Sequence, residues 1–288
     1  RRDGSGLEQG QAGMDGGASA LKVIAVTSGK GGVGKTNVAV NLAVGLAEAG
    51  QSVLLFDADL GLANVDIALG LKPEYDIQHV IAGERSLDDI LLTGPAGIRV
   101  IPAASGVARM AALSPEEQAG LVRAFSNLAL PVDTLIVDTG AGIDRTVLTF
   151  TAACQEVVVV VCDEPTSLTD AYALIKVLNQ NCDVKRFQFL ANMVDNELQG
   201  RQLYDKLCRV ADRFLDVHLG YLGTVPRDDY LRRAVRSQRA VLVEYPRSES
   251  AKALRAMVDR VRSLPSTAPA GGLGFFVERM IEFRNGSA

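Results

Sequence analysis

The chain has 288 residues, which is enough for one large α/β domain or two small ones with a full hydrophobic core. Hydrophobic residues make up 48% and charged residues 22%, as in ordinary folded proteins, and the net charge of −4 excludes a global basic field for nucleic acid. The four cysteines lack metal-binding spacing, and no apolar run reaches the length of a membrane-spanning helix. We therefore expect a cytoplasmic protein.

In chain order, residues 1–20 are rich in glycine, glutamine and serine, which predicts a disordered tail. From 21 to 263, buried-strand patterns alternate with helical patterns, and this region is the predicted domain. The strands are predicted at 22–27, 52–57, 98–102, 133–138, 156–162, 186–192 and 219–224. The main helices after the first are predicted at 114–130, 168–180, 196–216, 228–239 and 248–263. This alternation predicts a doubly wound, mostly parallel α/β sheet with helices on both faces.

The first strand leads into a sequence that fits G-x-x-x-x-G-K-[ST], the phosphate-binding loop of nucleotide triphosphatases. Its amide groups and the following helix N-terminus would converge on an anion, while Lys35 adds charge and the Thr36 hydroxyl can ligate Mg²⁺. Lys30 is an additional lysine that the chain's own phosphates do not need. The predicted phosphate-binding residues are Gly29, Lys30, Gly31, Gly32, Val33, Gly34, Lys35, Thr36 and Asn37.

Carboxylates follow two of the predicted strands. Asp57 and Asp59 end the second strand, and Asp138 ends the apolar run that begins at Thr134. Ligands of open α/β sheets bind at the carboxyl ends of strands, so these side chains should face the phosphates. We predict that Asp57 and Asp138 serve with Thr36 as magnesium ligands, and that Asp59 orients the attacking water.

Two further strand ends are candidates for the nucleobase. Asn192 ends one strand, and its amide could bond an adenine edge through both donor and acceptor. Pro226, Arg227 and Asp228 end the next strand, and their backbone could lie beside the base. Ordinary loop chemistry is an equal alternative at both places.

Residues 264–272 are predicted to be a flexible linker, and 273–284 an amphipathic helix. Its apolar residues are spaced i, i+3, i+4, i+7 and i+8. They are Leu273, Phe276, Val277, Met280 and Ile281. The helix could dock on its own domain, on a membrane or on a partner protein, and its polar face is not lysine-rich.

Together, the loop and the aspartates resemble the MinD/ParA family of deviant Walker A ATPases, a P-loop NTPase family, over about residues 21–263. The resemblance implies that Lys30 reaches across a dimer interface to the partner subunit's ATP. It also implies catalytic roles for Lys30, Lys35 and Asp59, a Walker B role for Asp138 and adenine binding by Asn192. Glu164 is similar to an acidic residue that lies near the signature lysine.

Within that family, the chain is similar to the FlhG/FleN group of flagellar-number ATPases at 57–70, 162–176 and 275–283. The resemblance implies partners of two kinds, a flagellar regulator of the FleQ type and the SRP-type GTPase FlhF. It also implies that the terminal helix makes peripheral contact with the inner membrane. The tail segment 8–14 matches poorly the motif with which some members activate the GTPase.

These features lead us to expect a slow, dimer-stimulated, Mg²⁺-dependent ATPase that forms a homodimer with ATP and controls flagellar number, placement and gene expression. The alternative is a ParA-type DNA-partition ATPase or another MinD-like positioning ATPase, although the acidic balance disfavours DNA as a partner. An iron–sulfur carrier would need bridging cysteines, and the appended helix disfavours a small-molecule ligase. The intact loop and aspartates disfavour a catalytically dead scaffold.

Overall fold

A computed structural model describes residues 21–59, 64–102, 113–265 and 272–286. The strands are β1 (Lys22–Ser28), β2 (Val53–Ala58), β3 (Leu92–Thr93), β4 (Arg99–Ile101), β5 (Thr134–Ala141), β6 (Glu156–Val161), β7 (Arg186–Val194) and β8 (His218–Pro226). They form one eight-stranded sheet in the order β3-β4-β2-β5-β1-β6-β7-β8. Neighbouring strands are parallel except for the short edge strand β3, which runs antiparallel to β4.

Helices cover both faces of this sheet. They are α1 (Lys35–Glu48), α2 (Val65–Ala68), α3 (Ile77–Ile81), α4 (Leu87–Ile90), α5 (Pro115–Ser126), α6 (Arg145–Ala153), α7 (Pro165–Cys182), α8 (Glu197–Phe214), α9 (Asp229–Arg236), α10 (Val241–Glu244), α11 (Glu249–Ser263) and α12 (Leu273–Asn285). Successive side chains of a strand point to opposite faces, so Val23 and Ala25 belong to one core and Ile24 and Val26 to the other. The predicted doubly wound fold is confirmed.

The strongly patterned segments were predicted within a few residues of their observed bounds. The sequence reasoning missed the two-residue strand β3, the helix α6 and the short helices α2 to α4 and α10. Each short helix has only four or five residues, which is too short to show a helical period. Two of them begin at side-chain caps, Asp76 for α3 and Ser86 for α4, so the caps were their available signal.

The C-terminal helix α12 packs on its own domain. Leu273, Phe276, Val277 and Met280 are buried, and they extend the core that also contains Phe125 of α5 and Phe150 of α6. Arg279 donates a hydrogen bond to the carbonyl of Ala152 at 3.2 Å. Of the three docking alternatives, the structure therefore displays contact with the chain's own domain. Among the described helices, none is long and apolar enough to cross a membrane.

The chain leaves the domain at a capped helix end. The Lys22 ammonium donates to the carbonyls of Val261 and Leu264, each at 2.9 Å, at the end of α11, where the Val261 carbonyl also accepts from the Leu264 amide at 3.3 Å. This contact fixes the start of the predicted linker against β1. The predicted tail 1–20 and most of the linker 264–272 lie outside the described residues, and the proposed domain limits stay a prediction.

The variant Val277→Asp should undock α12, because it places a carboxylate in an apolar groove between α5 and α6. We expect amide hydrogen exchange across 273–285 to become fast while the sheet stays protected. Phe275→Asp is the matched control, since Phe275 is 37% exposed on the same helix. Equal protection in the two variants would contradict the docked arrangement.

Candidate nucleotide-binding site

The glycine loop joins β1 to α1 and is wedged against α7. At Gly29, an added Cβ would lie 2.1 Å from the carbonyl carbon of Asp170, so the backbones approach too closely for any side chain. Gly34 precedes α1 with φ of +87°, a left-handed conformation that favours glycine. Lys35 begins the helix and is buried. Both glycines are therefore required by the shape of the loop and by its contacts.

Three carboxylates that act on one another lie in this site, and the Lys35 ammonium interacts with two of them, Asp59 and Asp138. Asp57 of β2 and Asp138 of β5 are neighbours in strand register, and both are buried. Asp59 lies just after β2, with its Oδ2 atom 3.8 Å from the Lys35 Nζ atom. Because three carboxylates carry more negative charge than one ammonium can neutralise, the site attracts additional positive charge.

Asp138 is the least satisfied polar side chain of this group. Both carboxylate oxygens are buried, and neither has a hydrogen-bond partner of ordinary geometry among the described residues. Burial is the main reason that the pKa of Asp138 rises to about 7; Asp57 and Asp59 also raise it, while Lys35 and the approaching Thr36 hydroxyl lower it. Buried carboxylates of this kind are normally paired or bound to a metal.

Asp57 has a different environment. Its carboxylate accepts hydrogen bonds from the backbone amides of Asp59, Asn64 and Val65 at 3.2, 2.9 and 3.0 Å. Burial raises the pKa of Asp57 to about 6, and these amides oppose the increase. Asp57 therefore connects the backbone at Asp59, just after β2, with the backbone at the start of α2. The sequence reasoning did not foresee this role.

These residues fit a magnesium ion bound together with a nucleotide. Mg²⁺ in phosphate sites takes one or two protein oxygens, and substrate phosphates and waters complete its shell. The orphaned oxygens of Asp138 and the Thr36 hydroxyl provide such ligands. The described part of the chain holds no group of three or more His, Cys, Asp or Glu that would cage a metal by itself. The site therefore suits a metal that arrives with its substrate.

Lys30 contacts its own subunit in this structure. Its ammonium donates to the Glu164 carboxylate and, at 3.1 Å, to the Thr166 hydroxyl. The hydrogen bond with Glu164 raises the pKa of Lys30, so the lysine stays charged. Both partners lie at the start of α7, and the Lys30 side chain is 38% exposed. The structure thus places Lys30 at the rim of the site, paired with an acid.

At the end of β7, Asn192 contacts the loop directly. Its Nδ2 atom donates to the carbonyl of Val33 at 2.8 Å, and its Oδ1 atom is buried without a hydrogen-bond partner among the described residues. The vacant oxygen could accept a bond from the amino group of adenine. Adenine binding by Asn192 remains a prediction, and holding the loop is an additional role.

The residues after β8 have structural partners of their own. Arg227 donates from Nε to the carbonyl of Met193 at 2.9 Å. The Asp228 carboxylate caps α9 through the Tyr230 amide at 2.8 Å and accepts from the Ser250 hydroxyl at 2.7 Å. A base contact at Asp228 would therefore have to use the backbone. The predicted roles of Pro226, Arg227 and Asp228 are untested.

Asn37 lies in the first turn of α1, where its carbonyl and its Oδ1 atom both accept from the Asn41 side chain at 2.8 Å. Sequence reasoning missed two further residues at the site, Thr166 and Met193. Thr166 could have been found from its position two residues after Glu164. Met193 carries no motif, and only its place directly after Asn192 pointed to it.

The site combines a phosphate loop, a buried lysine and strand-end aspartates, and this combination defines a P-loop nucleotide-binding protein. Residues 24–241 match the CobQ/CobB/MinD/ParA nucleotide binding domain, and the chain belongs to this family. The family expected from the sequence is therefore confirmed.

Two relatives extend this comparison. The chain is 54% identical over 263 residues to the antiactivator FleN of Pseudomonas aeruginosa, covering 91% of this chain and 94% of FleN. It is 35% identical over 267 residues to the flagellum site-determining protein YlxH of Helicobacter pylori, covering 91% and 90%.

Solved structures agree with the fold. The septum site-determining protein MinD of Pyrococcus horikoshii, complexed with Mg-ADP, superposes with a TM-score of 0.68 at 24% identity, covering 85% of this chain and 97% of that one. A chain of the MinC:MinD complex of Aquifex aeolicus gives 0.67 at 25% identity, covering 86% and 98%. The chain therefore shares the fold of these MinD proteins.

Asp138→Asn should change how stability depends on pH. The Asp138 carboxyl has its ordinary pKa of 3.8 when unfolded and about 7 when folded, so between these values the folded state keeps a proton that the unfolded state loses. Its contribution to stability is present at low pH and is lost as the pH rises through 7. Between pH 5 and pH 8 the free energy of unfolding of the unsubstituted protein should fall by up to about 3 kcal/mol more than that of the variant.

Urea denaturation without Mg²⁺ or nucleotide measures this difference. Asp212→Asn is the control, because Asp212 is exposed on α8, and it should leave the pH dependence unchanged. An Asp138→Asn protein whose stability follows the same pH curve as the unsubstituted one would refute a buried, unpaired carboxylate at this position.

Proposed function

We propose that this protein is a Mg²⁺-dependent ATPase that acts as an ATP-dependent dimerising switch and controls flagellar number, placement and gene expression through protein partners. The observation that carries the ATPase assignment is the buried, unpartnered carboxylate of Asp138 beside the loop that holds Lys35 and Thr36. The flagellar assignment is supported by the similarity to FleN and YlxH.

The loop residues would bind the phosphates of ATP. Their backbone amides and the N-terminus of α1 converge on an anion, and Lys35 supplies a charge for the β- and γ-phosphates. Thr36 and Asp138 would hold Mg²⁺, with Asp57 as the further ligand predicted from the sequence. When bound, the metal would neutralise phosphate charge. Charge neutralisation and positioning are the main contributions of a protein to phosphoryl transfer.

Asp59 would orient the attacking water. It lies at the edge of the site, close to Lys35 and less buried than the other two aspartates. Water could therefore reach its carboxylate, whereas Asp57 and Asp138 are closed to solvent. Positioning water is the one catalytic task that the buried acids cannot perform.

Asp59→Ala should bind ATP and Mg²⁺ with nearly unchanged affinity while hydrolysis falls by about 100-fold or more, as expected when a positioning or proton-accepting group is lost. Phosphate release measures turnover, and titration calorimetry measures binding. Asp66→Ala, seven residues later in α2, is the control. A variant with unchanged turnover would remove Asp59 from the catalytic set.

The second copy in the proposed dimer would cover the edge of the sheet where the site lies. Several large apolar side chains are exposed there, each at the carboxyl end of a strand or in the segment that follows it. They are Ile67, Ile143, Met193, Leu198 and Tyr230. Exposed apolar residues clustered around one site are typical of an interface. On dimerisation, Lys30 would exchange Glu164 for phosphates of the partner subunit's ATP.

Lys30→Ala should retain ATP binding and lose ATP-dependent dimerisation. Light scattering with Mg²⁺ and either ADP or a slowly hydrolysed ATP analogue measures the mass in each state. We expect the unsubstituted protein to double its mass only with the analogue, and the variant to stay monomeric. Lys185→Ala is the control, because Lys185 is also an exposed lysine paired with acids but lies before β7, at the opposite edge of the sheet. Normal dimerisation of Lys30→Ala would refute the cross-subunit role.

The output of the switch would depend on which surface each state exposes. A flagellar regulator of the FleQ type and an SRP-type GTPase like FlhF are the proposed partners. We further propose that the protein acts in the cytoplasm and touches the inner membrane through α12 after the helix leaves its groove, since docking buries its apolar residues. The membrane contact would therefore be conditional.

A further inference from the structure

Met193 has an unusual backbone for a methionine. Its φ angle is +56°, in the left-handed region that side chains other than glycine, asparagine and aspartate seldom adopt. It lies where the pairing of β7 with β8 shifts register between Asn192 and Val194. Bulges of this kind redirect side chains beside functional sites.

Two hydrogen bonds hold the backbone around Met193 in this conformation. The backbone amide of Arg227 donates to the carbonyl of Val194 at 2.8 Å, and the Arg227 guanidinium donates to the Met193 carbonyl at 2.9 Å. The methyl group of Met193 lies 3.2 Å from the position that a Cβ on Gly34 would occupy. The bulge therefore lays the side chain along the end of the phosphate loop.

Despite this fixed backbone, the Met193 side chain is not in a core. The residue is 39% exposed, although the residues on either side of it are buried. A large apolar side chain held at the rim of a polar site suits a flat, apolar ligand surface, and thioethers make favourable contacts with aromatic rings. Next to it, the buried Oδ1 atom of Asn192 still lacks a donor.

We propose that Met193 forms the platform on which the purine ring of the nucleotide rests, an inference that depends on the proposed nucleotide site. Asn192 reads the edge of the ring, and Met193 contacts its face. Arg227 is a positioning residue, because it acts on the base only through the Met193 carbonyl. The triphosphate binds the loop and touches none of these side chains.

The test compares two ligands, ATP and inorganic tripolyphosphate, each with Mg²⁺, by titration calorimetry. Met193→Gly removes the thioether and accepts a positive φ without strain. It should lose about 3- to 10-fold in affinity for ATP, the size of a thioether–ring contact, and less than about 2-fold for tripolyphosphate. Met193→Leu keeps the apolar bulk and should retain most of the ATP affinity.

Asp183→Gly is the matched control, since Asp183 also has a positive φ, 52°, but lies at the opposite edge of the sheet, before β7. It should change neither affinity. Equal losses for both ligands in Met193→Gly would mean that Met193 only holds the loop, and would overturn the platform; so would an unchanged ATP affinity. An unsubstituted protein that binds neither ligand would instead refute the proposed ATPase site, and the platform with it.

Discussion

The site depends on one imbalance of charge, three aspartates that act on one another beside a single lysine at the end of a buried sheet. Burial makes unneutralised carboxylates costly, so the raised pKa values of Asp57 and Asp138 and the orphaned oxygens of Asp138 share one cause. The metal proposed to enter with the nucleotide would relieve this cost by neutralising the buried carboxylates.

The fold explains why these groups meet. Parallel strands end at a common edge, so residues far apart in sequence, such as Asp57 and Asp138, become register partners. The same edge receives Asn192, whose amide holds the Val33 carbonyl of the loop. The loop is thus fixed from the β7 side as well as by its own helix. A change in the bound nucleotide would therefore act on β7 as well as on α1.

Much of this could be predicted from the sequence, and the exceptions have physical reasons. The glycine loop and the strand-end aspartates are local patterns, and they specify both fold and site. The contact of Lys30 with Glu164 joins residues 134 positions apart, so no spacing rule predicts it, and only the family resemblance pointed to an acidic residue near Lys30. Asp228 reads as a site residue because it follows a strand, but its carboxylate is consumed by the cap of α9 and by Ser250. Met193 could not be predicted, because its positive φ angle follows from the register shift in the sheet and no sequence pattern indicates it.

The capped end of α11 has a consequence for the terminal helix. Lys22 fixes Leu264 to the body of the domain, and only the short segment up to Gly272 separates that anchor from α12. A tether of this length spans at most about 25–30 Å. A released helix therefore remains at an effective concentration on the order of millimolar around its own groove. Recapture of α12 would therefore not depend on the concentration of the protein, and any membrane or partner proposed to bind α12 would have to compete with the helix's own groove.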